Sequence, residues 1–308
     1  DFNRANDLLR SSVEIRRQLI DTRGIATTTI FLGTVARYQG NFEEAEAFHR
    51  QSLSLYQQLG NRSSVGICLG ILSNTLSWAG KFLNAKDAVE QAIEIGQDLG
   101  QLPNPRTSNP RTKATIHLGH YKEGLIMATE NLDLARRVRW SSHTGFALTF
   151  LGKAAFVEGD LDGAIHHLLE GSAIFAELQH VHLAFPQAIL SYVIRTQGDE
   201  KRAREQLVSA VQSGIKDHSI FAIIYCLPVA ALLATDEGRT KRAVELYGLA
   251  QQFGHIRNSR WFEDIACREL DEISASLPPE VAAAAEARGR ELDVWETAEA
   301  LLRDLDGR

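Results

Sequence analysis

The sequence is poor in sulfur: one methionine and three cysteines occur among 308 residues. Cys68, Cys226 and Cys267 are odd in number and far apart, which excludes a paired disulfide framework and a CxxC metal knuckle. They are expected as small buried apolar residues in a reducing, cytoplasmic setting. A basic excess is missing too. The net charge is −6 and the pI about 6.0, so the chain has no positive field to drive binding to nucleic acid or an anionic membrane. No run of eighteen apolar residues occurs, and Asp1-Phe2-Asn3-Arg4 has none of the features of a signal peptide.

Catalytic signatures are missing as well. The sequence contains no HExxH, GxSxG, GxGxxG or phosphate-loop GxxxxGKS/T, and Gly152-Lys153 is followed by Ala154. His166 and His167 are adjacent, so on a helix they point about 100° apart, poor geometry for a shared metal. His117 and His120 could share a helical face but have no third ligand nearby. Glu43-Glu44 and Asp160/Asp162 follow turn glycines, where carboxylates complement the start of a helix rather than form an acid–base pair. The expectation is a protein that is not an enzyme, with no cofactor and no metal.

What is present is a repeat. Glycines stand at 40, 80, 119, 159, 198 and 238, with spacings of 40, 39, 40, 39 and 40. Seven residues before them lie Gly33, Ser73, Thr112, Gly152, Ser191 and Ala231; five after them lie Ala45, Ala85, Gly124, Ala164, Ala203 and Ala243. Beside the first of these columns runs Leu32, Leu72, Arg111, Leu151, Leu190, Ala230. Small residues let two antiparallel helices approach closely, and large neighbours fill the adjoining groove. Each unit therefore reads as a helix of about four turns, a glycine turn, and a second helix of about five turns. No segment alternates with strand period, so the fold class is all-α.

These columns resemble the tetratricopeptide repeat, with Leu-Gly in the first helix and a later small column at Ser52, Ala92, Asn131, Gly171, Ala210 and Ala250. Units near 40 residues exceed the usual 34 and look like those in sensor regions of bacterial signal-transduction ATPases. The implied architecture is a helical solenoid over residues 1–257, made of a half repeat at 1–20 and six hairpins, with capping helices at 258–308. Phe2, Ala5 and Ser12 match Phe42, Ala45 and Ser52. The chain thus starts at a second helix, and it is expected to be a fragment of a longer protein.

After the last unit, helices are expected near Asn258–Ser276, Val281–Gly289 and Val294–Asp304, broken at Leu277-Pro278-Pro279-Glu280. Pro103, Pro105 and Pro110 should shorten the first helix of the third unit. The near-copies Asn104-Pro-Arg-Thr-Ser108 and Asn109-Pro-Arg-Thr-Lys113 are either a local defect or a loop presenting Arg106 and Arg111. Pro186 falls early in its helix, whereas Pro228 lies deeper and should kink its own.

The segments Arg242–Ala250, Pro278-Pro279-Glu280, Ala287–Arg290 and Thr297–Leu302 are similar to the ends of large bacterial regulators that join an effector module, a STAND-type ATPase and a helical repeat array. The maltose-regulon activator and antibiotic regulatory protein families are of this kind. The resemblance implies a sensor domain controlling activation or oligomerisation of an upstream ATPase module. In tetratricopeptide arrays first helices line a concave groove, which places Arg37, Tyr38, Asn74, Trp78, Lys113, His117, Lys153, Tyr192 and Arg195 as ligand-binding candidates. Cations among aromatics suit a carboxylate, a phosphate or an acidic peptide. The expected partner is a protein, peptide or small-molecule effector, with neither nucleic acid nor membrane. The alternative is an independent scaffold or co-chaperone that binds acidic or carboxylate-ended peptides.

Overall fold

The computed structural model describes residues 2–102 and 104–306. Pro103, one of the three prolines expected to shorten a helix, lies outside them. Among the described residues the regular structure is helical, without strands: an all-α helical solenoid of the tetratricopeptide type.

A single helix α1 (Phe2–Gln18) precedes six hairpins. These are α2 (Thr22–Tyr38) with α3 (Phe42–Gln58), α4 (Arg62–Trp78) with α5 (Phe82–Asp98), and α6 (Pro105–His117) with α7 (Tyr121–Arg137). Then come α8 (Ser141–Val157) with α9 (Leu161–Glu177), α10 (Ala184–Thr196) with α11 (Glu200–Lys216), and α12 (Ile220–Asp236) with α13 (Thr240–Ala250). First helices are not shorter by rule, since α2, α4, α8 and α12 each have 17 residues, as do their partners α3, α5 and α9. Only the proline-bearing α6 and α10 stop at 13.

The turns repeat one hydrogen-bonding scheme. Gly40 has φ 86°, and the amide of Asn41 donates to the Ala36 carbonyl at 2.9 Å, closing the end of α2. A second left-handed register ends the second helices at Ile20, Gly60, Gly100, Arg139, Gln179 and His218. Only two of these positions are glycine, which is why this register is hidden in the sequence. Helix starts are capped by side chains, Asp21 accepting from the Gly24 amide at 2.8 Å and Asp160 from that of Gly163 at 2.9 Å.

The small columns work as close approaches. A Cβ on Gly33 would lie 3.0 Å from the Ala45 carbonyl and one on Gly152 3.2 Å from that of Ala164. Where the column holds serine, Ser73 and Ser191 donate to the equivalent carbonyls of Ala85 and Ala203, both at 2.7 Å. One position thus serves either as a bare backbone contact or as an interhelical hydrogen bond.

The chain divides into two compact units, the first ending at Ala114 and the second beginning at Thr115. In the first, Leu69, Leu72, Leu76, Ala85, Ala88 and Ala92 form a core. In the second, the residues after α13 pack on the last hairpins: α17 (Pro279–Glu291) lies against α13, and α18 (Val294–Asp306) along α11. A Cβ on Gly289 would sit 2.2 Å from the Glu245 carbonyl, so α13 and α17 touch backbone to backbone.

The helix expected near Asn258–Ser276 is present over residues 260–276, with a π turn inside it and the short α14 ahead of it. In order these are α14 (Gly254–Arg257), then α15 (Arg260–Phe262), the π turn over Glu263–Cys267 and α16 (Arg268–Ser276) as one continuous stretch. α12 continues through Pro228, which is buried within it. Residues 105–117 are helical, and Arg111 pairs with Glu90 at 3.6 Å. Arg106 and Arg111 therefore lie on a helix and not in a loop.

Candidate functional site

The nine candidate residues divide by unit. In the first, α2 supplies Arg37 and Tyr38, α4 supplies Asn74 and Trp78, and α6 supplies Lys113. Arg37, Tyr38 and Asn74 are half-buried. Trp78 is buried at the end of α4, and the Lys113 Nζ lies 3.7 Å from its ring centroid. The Arg37 guanidinium lies 5.1 Å from the Tyr38 ring. These are cation–π arrangements of the kind that hold a cation among aromatics.

Burial, and then the charge of Arg37, push the Lys113 pKa well below the ordinary lysine range. The same environment acts on His49, which the sequence did not single out. His49 is 1% exposed, with Nδ1 3.0 Å from Thr75 Oγ1 and Nε2 3.2 Å from the Ile30 carbonyl. A carbonyl only accepts, so Nε2 carries the proton and Thr75 donates to Nδ1. Burial, and then Arg37, lower its pKa to about 4.

In the second unit the expectation of an open polar face does not hold. Lys153 is fully buried, 0% exposed, while His117 and Tyr192 are each 1% exposed. The Lys153 Nζ is 2.8 Å from His117 Nε2 and 3.0 Å from the Tyr225 hydroxyl, above the Trp261 ring at 4.0 Å. His117 Nδ1 reaches Ser259 Oγ at 2.7 Å, and His255 Nε2 reaches the Tyr225 hydroxyl at 3.0 Å. The Trp261 indole donates to the Lys153 carbonyl at 3.1 Å, and the Tyr192 hydroxyl to that of Tyr225 at 3.0 Å.

An ammonium only donates, so a charged Lys153 requires His117 Nε2 as acceptor and directs its Nδ1–H to Ser259. Both ring nitrogens of His117 are thus engaged. His120 lies 3.5 Å from Glu123. The network joins α6, α8 and α12 to α14 and α15, so Lys153 is a core residue and not a groove residue.

Arg195 has a third fate. Its guanidinium is 2.6 Å from Asp236 and 2.6 Å from Glu269, with 15% of the side chain exposed. Burial alone would lower its pKa, but the hydrogen bonds it donates to these two carboxylates more than reverse that and raise it. Its charge is already spent within the fold. Sequence reasoning missed Tyr225, His255, Ser259 and Trp261. One signal was available: Tyr225 is a lone hydroxyl in the apolar run Ile220–Leu227, and a buried hydroxyl needs partners.

Among the described residues no group of three or more His, Cys, Asp or Glu side chains is placed to hold a metal ion, and no helix is long and apolar enough to cross a membrane.

With this geometry known, comparison with known proteins gives the repeat its name. A tetratricopeptide-repeat family model matches residues 24–98. That stretch runs through α2 to α5, the hairpins that carry Arg37, Tyr38, Asn74 and Trp78. A comparison with curated protein sequences gives no match.

Solved structures extend the likeness along the chain. A Rap protein complexed with competence and sporulation factor is similar at a TM-score of 0.68 and 13% identity, over 93% of this chain and 75% of that one. Aspartyl phosphate phosphatase F from Bacillus subtilis is similar at 0.57 and 14%, over 92% and 75%. A signal-transduction ATPase with a tetratricopeptide-repeat sensor, from Pyrococcus horikoshii, gives 0.47 and 13%, over 98% and 44%. At these identities the likeness is one of fold.

Proposed function

We propose that this chain is a non-catalytic binding module that senses a protein, peptide or small-molecule effector and controls the activation or oligomerisation of a larger bacterial signal-transduction ATPase. The observation that carries the binding role is the set of side chains that α2, α4 and α6 contribute to the first unit. Arg37, Tyr38, Asn74, Trp78 and Lys113 mix cationic, amide and aromatic groups, a chemistry suited to an anionic partner with apolar parts. The fold supports the same reading, since the similar Rap protein was solved complexed with competence and sporulation factor. The link to an ATPase rests on the resemblance of residues 242–302 to the ends of STAND-type regulators.

The whole gene product tests the finer reading. The expectation is a nucleotide-binding module in the same polypeptide, whose ATP turnover and assembly state change when residues 1–308 are removed. A gene product without such a module, or one indifferent to the removal, contradicts the sensor role. The Lys113 cation also favours the second reading, an independent scaffold for acidic peptides; that role requires direct capture by the isolated chain, measured by calorimetry.

A further inference from the structure

In the second unit residues 254–276 form a strap over the first helices. The Ser259 hydroxyl meets His117 at the end of α6, the Trp261 indole donates to the Lys153 carbonyl on α8, and His255 meets the Tyr225 hydroxyl on α12. His255, Ile256, Ser259, Trp261, Phe262 and Leu270 are each at most 2% exposed. Burial of Trp261, Phe262 and Leu270 supplies the apolar part of the docking. The polar contacts add what apolar packing does not, since they tie docking to the positions of protons.

Ser259 links this network to the backbone of the strap. Its hydroxyl oxygen takes the Phe262 amide proton at 3.2 Å as the N-cap of α15, and His117 Nδ1 lies 2.7 Å from it. With Lys153 charged, His117 accepts at Nε2 and donates from Nδ1, so the docked arrangement requires a neutral imidazole. A further proton at Nε2 would remove that acceptor and set imidazolium against ammonium at 2.8 Å. If His117 held the charge and Lys153 were the neutral acceptor, a further proton would again give two adjacent cations. A proton on His255 adds its charge to the same cluster. Its Nε2 is 3.0 Å from the Tyr225 hydroxyl, to which Lys153 also donates at 3.0 Å, and its ring centroid is 4.5 Å from that of His117. Like charges this close and this covered are poorly screened.

The other titratable groups around the strap are engaged differently. Asp264 accepts from Tyr121 at 2.5 Å and pairs with Arg260 and Arg268, Glu263 pairs with the same two arginines, and Glu269 joins Asp236 on Arg195. Burial pushes the Tyr192 and Tyr225 phenols and the Cys226 and Cys267 thiols up, so these groups keep their protons in mild acid. Carboxyl groups in general take up protons near pH 4 and imidazoles near 6.5. A change between pH 7.5 and 5.5 therefore reports imidazole.

We infer that residues 254–276 are a proton-sensitive strap: protonation of His117 and His255 beside Lys153 releases it and uncovers the first-helix face of α6, α8 and α12. The released strap binds more protons than the docked one, so acid favours release and base favours docking. The backbone contact between α13 and α17 holds both of its ends, and the strap opens while staying tethered. With released imidazoles near 6.5, the open fraction should rise about tenfold per histidine between pH 7.5 and 5.5.

Two buried thiols report on this. Cys267 lies within the strap at 6% exposure, and Cys68 in the first unit at 1%. The full chain is labelled at both pH values with a dithiodipyridine, a disulfide reagent that reacts with thiols in mild acid. Each cysteine is quantified by peptide mass spectrometry against the urea-unfolded chain at the same pH. The ratio of Cys267 to Cys68 labelling should rise at least about tenfold at pH 5.5. The double variant His117→Gln, His255→Gln keeps amide donors and acceptors but cannot titrate, and it should abolish the rise. His166→Gln, at an exposed position, should leave it unchanged.

An unchanged ratio in the native chain, a rise that persists in the double variant, or an equal rise of both cysteines overturns the inference. If the double variant is already labelled at pH 7.5, NMR of the imidazole rings in the native chain replaces it. Rings of His117 and His255 that gain protons over the pH range in which Cys267 becomes reactive support the strap, and rings that stay neutral through that range overturn it.

Discussion

Four residues hold a left-handed backbone without being glycine: Ile20, Arg139, Gln179 and His218, with φ between 48° and 55°. Side chains with a Cβ pay about 1 kcal/mol or more in this region. Arg139→Gly and Gln179→Gly should each stabilise the second unit by up to about 1 kcal/mol, less the chain entropy that glycine adds; a lowered urea midpoint in both contradicts this. The close approaches run the other way. A Cβ on Gly152 would lie 2.5 Å from the Leu168 Cγ, so Gly152→Ala should destabilise by about 1–3 kcal/mol, measured in the same denaturation. His49 makes stability depend on pH. Its pKa is about 4 in the folded chain against an ordinary 6.5, so the unfolded chain takes up a proton first. Its contribution is intact above pH 6.5, declines from 6.5 to 4, and is lost below, amounting to about 3 kcal/mol. His49→Gln should flatten that part of the profile; an unchanged slope shows that His49 is not its source.

At the scale of elements, the hairpins were legible because two small columns and one glycine recur at fixed offsets. Gly33, Ser73, Gly152 and Ser191 all meet the alanine-column carbonyl of the partner helix, so a single packing constraint was written into the sequence repeatedly. Less was legible where no repeat enforces a choice. The π turn at Glu263–Cys267 has no counterpart among the other described residues. The burial of Lys153 depends on Trp261, His255 and Tyr225, distant in sequence and outside the repeat columns. Offsets from the turn glycine identify which helix a residue occupies, but not what covers it. For Lys153 this replaces a loss of ligand binding with a loss of structure. Lys153→Met leaves His117 and Tyr225 without their donor, at about 1–3 kcal/mol, and should loosen residues 254–276. Amide exchange in that segment should rise well before exchange in α9 or α11; uniform behaviour contradicts the docking role.

For the whole molecule, the repeat fixes a fold and leaves the function to the residues placed on it. The similarity to a Rap protein and to aspartyl phosphate phosphatase F at 13–14% identity is of that kind, a shared arrangement of helices. Within this chain the cations are disposed differently: the second unit has consumed Lys153 and Arg195 in its own packing, while in the first Lys113 meets the Trp78 ring and no carboxylate among the described residues. The proposed binding role is accordingly assigned to α2, α4 and α6. Amide hydrogen exchange of the full chain, with and without an acetylated tri-glutamate peptide as an acidic probe, tests this most directly. The account predicts added protection within residues 22–38, 62–78 and 105–113 and none in 254–276. Protection confined to the second unit, or no protection at saturating peptide, would contradict it.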